Sequence, residues 1–214
     1  HAPFGHLGQR VLNELMEEHG GFEHNLQALR LVDDLEKPYL AYNGLNLLFE
    51  TREGILKHCS KEDAEVLGLI GKRFLFGGDG GDEAYKSPSL EAQLTDWTDA
   101  IAYTHADLED AIRKGVLTIE QTESENQRFK LYMDKLRKEH GKINKGEENR
   151  YVKVATGMMM KDALSDLIET SKKNIRNAQI LTLSDVKASD KLVTLSDDFK
   201  NNEHLKFKQF LWKN

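Results

Sequence analysis

The chain has 214 residues, of which 39% are hydrophobic and 31% are charged, and its formal net charge is −6. This size allows one substantial core, and no proline-rich spacer divides the chain, so we expect a single domain. The lone cysteine, Cys59, excludes an internal disulfide framework and a cysteine-based zinc site. The acidic balance argues against a general nucleic-acid coat protein. No stretch resembles a signal peptide or a transmembrane helix, so we expect a soluble, cytoplasmic protein.

The first 30 residues contain three histidines at a spacing typical of a polar site built on helices. His1 and His6 flank a Pro-Phe-Gly turn, and His24 follows the Gly20-Gly21 break after a run with helical apolar periodicity. Two short helices would bring such histidines together. A single histidine is more often a core or surface residue than a catalyst, so spacing alone does not assign a site.

The apolar pattern indicates helices along the rest of the chain and no strands, which predicts an all-α fold. We expect helices over residues 26–35, 48–58, 61–76, 88–114, 120–140, 150–177 and 204–212. The Gly/Asp-rich run 77–89 lacks the Gly-Lys-Ser/Thr ending of a phosphate-binding loop, so we interpret it as a connector. The Thr/Ser/Asp-rich segment 179–198 is expected to be linker-like, with short extended pieces at most.

The helix predicted over residues 88–114 carries a regular row of polar side chains. Ser89 is placed to cap its start, and Gly115 to end it. Residues three and four positions apart share one helix face. The row consists of Asp96, Asp99, Tyr103, Asp107 and Asp110. Such a row is usually a solvated surface, and the residues alone do not exclude that interpretation.

Four ordered segments resemble the dGTPase-like deoxynucleoside triphosphate triphosphohydrolases of the HD-domain superfamily. They are HAPFGHLGQ, GGFEHNLQALR, GLNLLFETREGILKH and PSLEAQLTDWTDAIAYTHADLEDAI, and together they cover roughly the first half of the chain. The resemblance implies an HD-domain helical bundle with its core in residues 1–178. Residues 179–214 would form a linker-like segment and the start of a C-terminal helical part. Because the family's first metal-binding segment would precede His1, we expect a chain that is partial at both ends.

The resemblance also implies a reaction and a metal. The family hydrolyses a deoxynucleoside triphosphate to a deoxynucleoside and inorganic triphosphate, as a homo-oligomer that depends on Mg²⁺ or Mn²⁺. Asp99 matches the last aspartate of the family's metal-binding set, whereas the His-Asp pair and the first histidine would lie before His1. A hard carboxylate suits either ion, but Asp99 alone cannot hold a catalytic metal.

The three histidines match family positions around the scissile phosphate. We expect His6 to act as the acid or base, His24 to orient it and His1 to contact phosphate. The family usually has an acidic residue where this chain has Gln9. Three interpretations stay open: a slower enzyme, a native variation in which another carboxylate such as Glu23 compensates, or an engineered inactivating change.

Four further residues are assigned to the substrate by the resemblance. Tyr103 would pack under the sugar and Asp107 would accept a hydrogen bond from its 3′-hydroxyl, while Arg150 and Lys153 would lie near the triphosphate. An alternative is a family member that senses nucleotides or binds single-stranded nucleic acid without turnover, through a basic region. That region comprises Lys135, Arg137, Lys138, Lys142, Lys145, Arg150 and Lys153. A plain helical scaffold would explain the composition but not the ordered motifs.

Overall fold

The computed structural model describes residues 5–56, 86–144 and 146–213, and these residues form helices without any strand. The all-α class is therefore confirmed. The helices are α1 (Gly5–Leu15), α2 (His24–Arg30), α3 (Phe49–Ile55), α4 (Leu90–Arg113), α5 (Ile119–Glu125), α6 (Gln127–His140), α7 (Glu148–Asn177), α8 (Leu183–Ala188) and α9 (Leu205–Lys213). Within these described ranges no helix is both long and apolar enough to cross a membrane.

The chain divides into two compact units that do not follow the order of the sequence. The first unit comprises His1–Asp96 and Leu181–Asp190, and the second comprises Trp97–Ile180 and Lys191–Asn214. The division at residue 178 that the resemblance implies stays a prediction.

The first unit begins with two short helices that are joined through a turn. A 3₁₀ turn over Glu17–His19 follows α1, and α2 continues into a π-helical turn over Leu31–Leu35. The helix predicted over residues 26–35 is thus confirmed, although its second half, Leu31–Leu35, is π-helical and not α-helical. Leu29 and Leu56 are buried between α2 and α3, where partly buried apolar side chains surround them. The predicted segment 61–76 and the Gly/Asp-rich run up to residue 85 lie outside the described residues.

Helix α4 begins and ends where its capping residues predict. The hydroxyl oxygen of Ser89 accepts a hydrogen bond from the Ala92 amide at 3.3 Å. The buried carboxylate of Glu53 accepts a second one from the Ser89 amide at 3.0 Å. Just after the last turn, the Gly115 amide donates to the Ile112 carbonyl at 3.0 Å. These bonds satisfy polar groups that a helix end otherwise leaves unpaired.

The second unit has its core between α4 and the helices that follow it. The helix predicted over residues 120–140 is two helices, because Asn126 is extended and its side chain accepts a hydrogen bond from the Phe129 amide at 2.8 Å, which starts α6. Long helix α7 packs against α6. One buried cluster of this core comprises Leu108, Leu117, Ile119, Phe129, Met133, Leu136, Val152, Ala155, Met159 and Phe207.

The expectation of a linker-like segment over residues 179–198 is wrong in two respects. Thr182 and Asp185 form a reciprocal capping box, so the polar residues there start helix α8. Further on, Leu192, Val193 and Leu195 are buried in the second unit. Composition suggested a linker because Thr, Ser and Asp are common both in loops and at helix N-termini. Only the hydrogen-bond partners distinguish these two uses.

Side-chain hydrogen bonds hold the buried segment that follows α8 against α7. Both carboxylate oxygens of Asp166 accept from Ser196, one from its amide at 2.8 Å and one from its hydroxyl at 2.7 Å. The amide of Asn174 donates to the Leu192 carbonyl at 3.0 Å. These contacts replace the backbone bonds that an irregular buried segment lacks.

Candidate active site

The turn between α1 and α2 determines where His24 lies. The Gly21 amide donates to the Met16 carbonyl at 2.8 Å, and the Phe22 amide donates to the side-chain oxygen of Asn13 at 2.8 Å. Gly21 has φ +75°, and a Cβ at this position would collide with that Asn13 oxygen. The Gly-Gly break therefore turns the chain sharply, and α2 starts at His24 beside α1.

His24 contacts two side-chain oxygens through the same ring nitrogen. Its Nδ1 lies 2.6 Å from Oε1 of Gln9 and 2.9 Å from Oε1 of Glu23. A lone pair on Nδ1 would face the ionised carboxylate oxygen 2.9 Å away, so this contact favours a proton on Nδ1, which donates to Gln9. Gln9 must then present its oxygen. In a neutral ring with its proton on Nδ1, the lone pair is on Nε2.

Glu23 uses its second carboxylate oxygen to cap α2. Oε2 accepts a hydrogen bond from the Leu26 amide at 2.8 Å, and the residue itself has an extended backbone. The side chain is 22% exposed. From the sequence, Glu23 is a carboxylate that could compensate for Gln9, but no motif places it in the site. The signal that identifies it is its position directly before His24, at the start of a helix.

The other two histidines are less fully described. His6 belongs to the first turn of α1, one turn before Gln9. His1 lies outside the described residues. The roles assigned to both histidines stay predictions.

Three residues of the predicted polar row share the exposed side of α4. Asp99, Tyr103 and Asp107 are all exposed and follow one another at intervals of four. The opposite side of the helix is buried, with Ile101 and Leu108 in the core. Loss of hydration raises the pKa of the Asp107 carboxyl, and the nearby charge of Asp110 raises it further. The spacing that predicted one polar face is confirmed, whereas the ligands of that face stay predictions.

A cation that the motifs did not identify lies beside Tyr103. Nζ of Lys208, on α9, is 5.6 Å from the centroid of the Tyr103 ring and 5.6 Å from that of Trp212. An ammonium over an aromatic face is attracted by the ring's negative quadrupole. Lys208 lies outside the segments that carry the family resemblance, so nothing in the sequence connects it with Tyr103.

Arg150 and Lys153 lie near the start of α7 and point to solvent. The Arg150 side chain is 84% exposed, and its nearest carboxylate is that of Glu147 at 3.7 Å. Lys153 is also exposed. In the described part of the chain, no hydrogen bond or ion pair joins either cation to Tyr103 or Asp107, so their assignment to the triphosphate stays a prediction.

The described residues do not by themselves make a metal site. Asp99 offers one hard oxygen ligand of the kind that Mg²⁺ and Mn²⁺ prefer. Across residues 5–56, 86–144 and 146–213, no three His, Cys, Asp or Glu side chains are grouped to hold an ion.

Comparison with known proteins supports the family resemblance over the whole chain. The chain is 42% identical, over 99% of its length, to a deoxyguanosinetriphosphate triphosphohydrolase-like protein of Thiobacillus denitrificans. It is 42% identical over 94% of its length to a protein of the same name from Azoarcus, and 39% identical over 100% of its length to one from Ralstonia nicotianae. No protein-family model matches the chain. The chain spans about half the length of these curated relatives, at 53%, 50% and 52%. It is thus similar, from end to end, to half of a dGTP triphosphohydrolase-like protein.

Proposed function

We propose that the chain is part of a cytoplasmic dNTP triphosphohydrolase of the dGTPase-like type in the HD-domain superfamily. The enzyme would hydrolyse a deoxynucleoside triphosphate to a deoxynucleoside and inorganic triphosphate. The observation that carries this proposal is His24, whose Nδ1 lies between Gln9 and Glu23. A histidine held in one tautomer by fixed acceptors is the usual arrangement of a proton-transfer site.

The histidines would move the proton that this reaction requires. Water attacks the α-phosphorus and releases a proton, the bond to the 5′-oxygen breaks, and the departing oxygen gains a proton. His6 would donate that proton, and His24 would orient His6 through Nε2 while Nδ1 stays bonded to its acceptors. His1 would contact the phosphate. Gln9 orients His24 without adding charge.

The exposed face of α4 would bind the sugar. Tyr103 would pack under the ring and leave no space for a 2′-hydroxyl, and Asp107 would accept from the 3′-hydroxyl. Lys208, beside Tyr103, adds a positive charge that suits a polyanionic substrate. Arg150 and Lys153 remain candidates for the triphosphate.

A divalent metal and a homo-oligomer complete the proposal. Asp99 would supply one ligand to Mg²⁺ or Mn²⁺, and the resemblance implies that the other ligands precede His1. Such an ion, when bound, neutralises charge that develops on phosphate oxygens. The mass of the full-length protein, measured by light scattering after gel filtration, tests the oligomer: a monomer would contradict it.

The reaction is tested by incubating the full-length protein with each of the four dNTPs. Each nucleotide is supplied with Mg²⁺, with Mn²⁺ or with a chelator, and the products are separated by chromatography. We expect deoxynucleoside and triphosphate to appear only with metal. Nucleotide affinity without any product would instead favour the nucleotide-sensing alternative, which Gln9 supports because it removes the usual acidic partner.

Replacing His6 tests the assignment of the acid. We expect His6→Ala to lower turnover by at least about 100-fold, because general acid catalysis typically contributes that much. The matched control is His19→Ala, which removes an exposed histidine from the turn after α1. Circular dichroism should show the same helical content in both variants. Preserved turnover in His6→Ala would exclude His6 as the acid.

Replacing Asp99 tests the metal assignment separately. We expect Asp99→Ala to lower the metal content of the purified full-length protein, measured by mass spectrometry of the metal, because one hard ligand is lost. Glu91→Ala is a suitable control, since it removes an exposed carboxylate from the first turn of the same helix. An unchanged metal content in Asp99→Ala would refute the ligand role.

A further inference from the structure

The two carboxylate oxygens of Glu23 have different partners. Oε2 accepts from the Leu26 amide at 2.8 Å, and Oε1 lies 2.9 Å from Nδ1 of His24. The first contact anchors the carboxylate to the start of α2. The second therefore holds a negative charge at a fixed place beside the imidazole ring.

We propose that Glu23 is the positioning residue of His24 and supplies the negative charge that Gln9 does not. The inference rests on the proposed function for its catalytic consequence, but the contact itself does not depend on that function. Both Glu23 and Gln9 approach the same ring nitrogen. The side chain of Glu23 is a carboxylate, whereas that of Gln9 is a neutral amide.

The carboxylate, and not the amide, determines which ring nitrogen carries the proton. A primary amide can rotate to present either its oxygen or its NH₂ group, so Gln9 alone would fit either tautomer. The Glu23 carboxylate repels a lone pair on Nδ1 and so favours a proton there, and Gln9 then presents its oxygen to that proton. The same charge stabilises the imidazolium that forms when Nε2 takes up a proton.

Substitution of Glu23 by glutamine separates the capping role from the positioning role. Glutamine has one side-chain oxygen where glutamate has two. If this oxygen keeps the bond to the Leu26 amide, the NH₂ group faces Nδ1 and favours the tautomer with its proton on Nε2. The variant Glu23→Gln thus predicts a change in the ring and not merely a weaker helix.

The experiment observes the imidazole nitrogens of His24 by NMR in the full-length protein labelled with ¹⁵N-histidine. The resonances are assigned by comparison with His24→Gln. We expect the Nδ1-protonated tautomer in the wild type and in the control Glu17→Gln, which changes an exposed carboxylate of the preceding turn. In Glu23→Gln we expect the Nε2-protonated tautomer to dominate.

A carboxylate introduced at position 9 should restore the tautomer that Glu23→Gln removes. We expect the double variant Gln9→Glu with Glu23→Gln to regain the Nδ1-protonated tautomer, because the new carboxylate would face the same nitrogen. On dNTP substrates, Glu23→Gln should lower kcat by roughly 10-fold or more with little change in KM, and the double variant should recover most of the loss. A purely structural role for Glu23 would not be rescued at position 9.

Either tautomer result decides the proposal. A wild type that carries its proton on Nε2 would overturn it without any variant, so failure of Glu23→Gln to fold would not leave it untested. An Nδ1 proton that persists in Glu23→Gln would also overturn it. If the protein hydrolyses no dNTP, the proposed function fails, whereas the tautomer measurement still stands.

Discussion

Two buried histidines in the second unit have no part in the candidate site. His105 on α4 donates through Nδ1 to the Ile101 carbonyl at 2.7 Å. His204 lies edge-on to Trp97, with ring centroids 5.7 Å apart. Burial lowers the pKa of His204 to about 4; the positive charge of Lys208 adds to this effect, as does His105 once its own ring is protonated. Both rings are therefore neutral in the folded protein near pH 7.

His204 should make stability depend on pH. Its pKa is about 4 in the folded chain against 6.5 when unfolded, so the unfolded state binds the proton first as the pH falls. The contribution of His204 to the free energy of unfolding is present above about pH 6.5 and is lost progressively as the pH falls to about 4. We expect a loss of roughly 1 to 2 kcal/mol between pH 7 and pH 5, measured by urea unfolding. His204→Phe should reduce this loss and the exposed His140→Gln should not; equal losses in all three proteins would contradict the assignment.

The carboxylate of Glu53 supports α4 from a buried position. It is 5% exposed and accepts from the Ser89 amide. We expect Glu53→Ala to lower the free energy of unfolding by about 2 kcal/mol, because a buried amide loses its acceptor. The exposed Glu91→Ala should change it by less than about 0.5 kcal/mol. Equal unfolding midpoints in the two variants would show that the buried bond contributes nothing.

At the scale of single elements, the loop between α2 and α3 depends on one glycine. The Gly44 amide donates to the Glu36 carbonyl, and the Leu45 amide donates to the Val32 carbonyl, each at 2.7 Å. Gly44 has φ +74°, and a Cβ there would collide with the backbone carbonyl of Asp33. An Asn-Gly pair is typical of a turn, but the close backbone approach is visible only in the structure.

Gly20 provides a control for this close approach, because its φ is +92° and a Cβ there would meet nothing within 4 Å. We expect Gly20→Ala to lower the free energy of unfolding by about 1 kcal/mol, from backbone strain alone. Gly44→Ala should cost at least about 2 kcal/mol more, because backbone atoms must also move. Thermal unfolding measures both variants, and equal shifts would contradict the packing explanation.

At the scale of the whole molecule, the net charge of −6 and the ion pairs both limit nucleic-acid binding. Arg137 in the basic region is paired with Glu123 at 2.6 Å and with Asp134 at 3.0 Å. Arg150 lies near Glu147. Part of the basic region is thus already engaged by carboxylates of the chain itself.

We therefore expect single-stranded DNA to bind weakly to the full-length protein. Fluorescence anisotropy with a labelled oligothymidine should give a Kd above about 10 μM at 150 mM salt, within the range of nonspecific electrostatic contacts. Affinity should fall further as salt rises. Tight binding would instead favour the nucleic-acid-binding alternative.

Periodicity and capping residues predicted the all-α class and the bounds of several helices. Ser89 and Gly115 indicated where α4 begins and ends, and the intervals of four indicated that Asp99, Tyr103 and Asp107 share a face. These features are local, because capping and helix faces depend on residues within one or two turns. The motif resemblance then connected those residues with a reaction.

The sequence by itself determined the helices, their polar faces and the similarity to dGTP triphosphohydrolase-like proteins. Only the tertiary structure decided which atoms meet. It showed that Gln9 and Glu23 approach one nitrogen of His24, that Lys208 lies over Tyr103, and that residues following α8 are buried along α7. Apart from the adjacent pair Glu23 and His24, these contacts join residues that are distant along the chain. Periodicity records which face a residue occupies, but the identity of its partner across the fold depends on how separate elements pack.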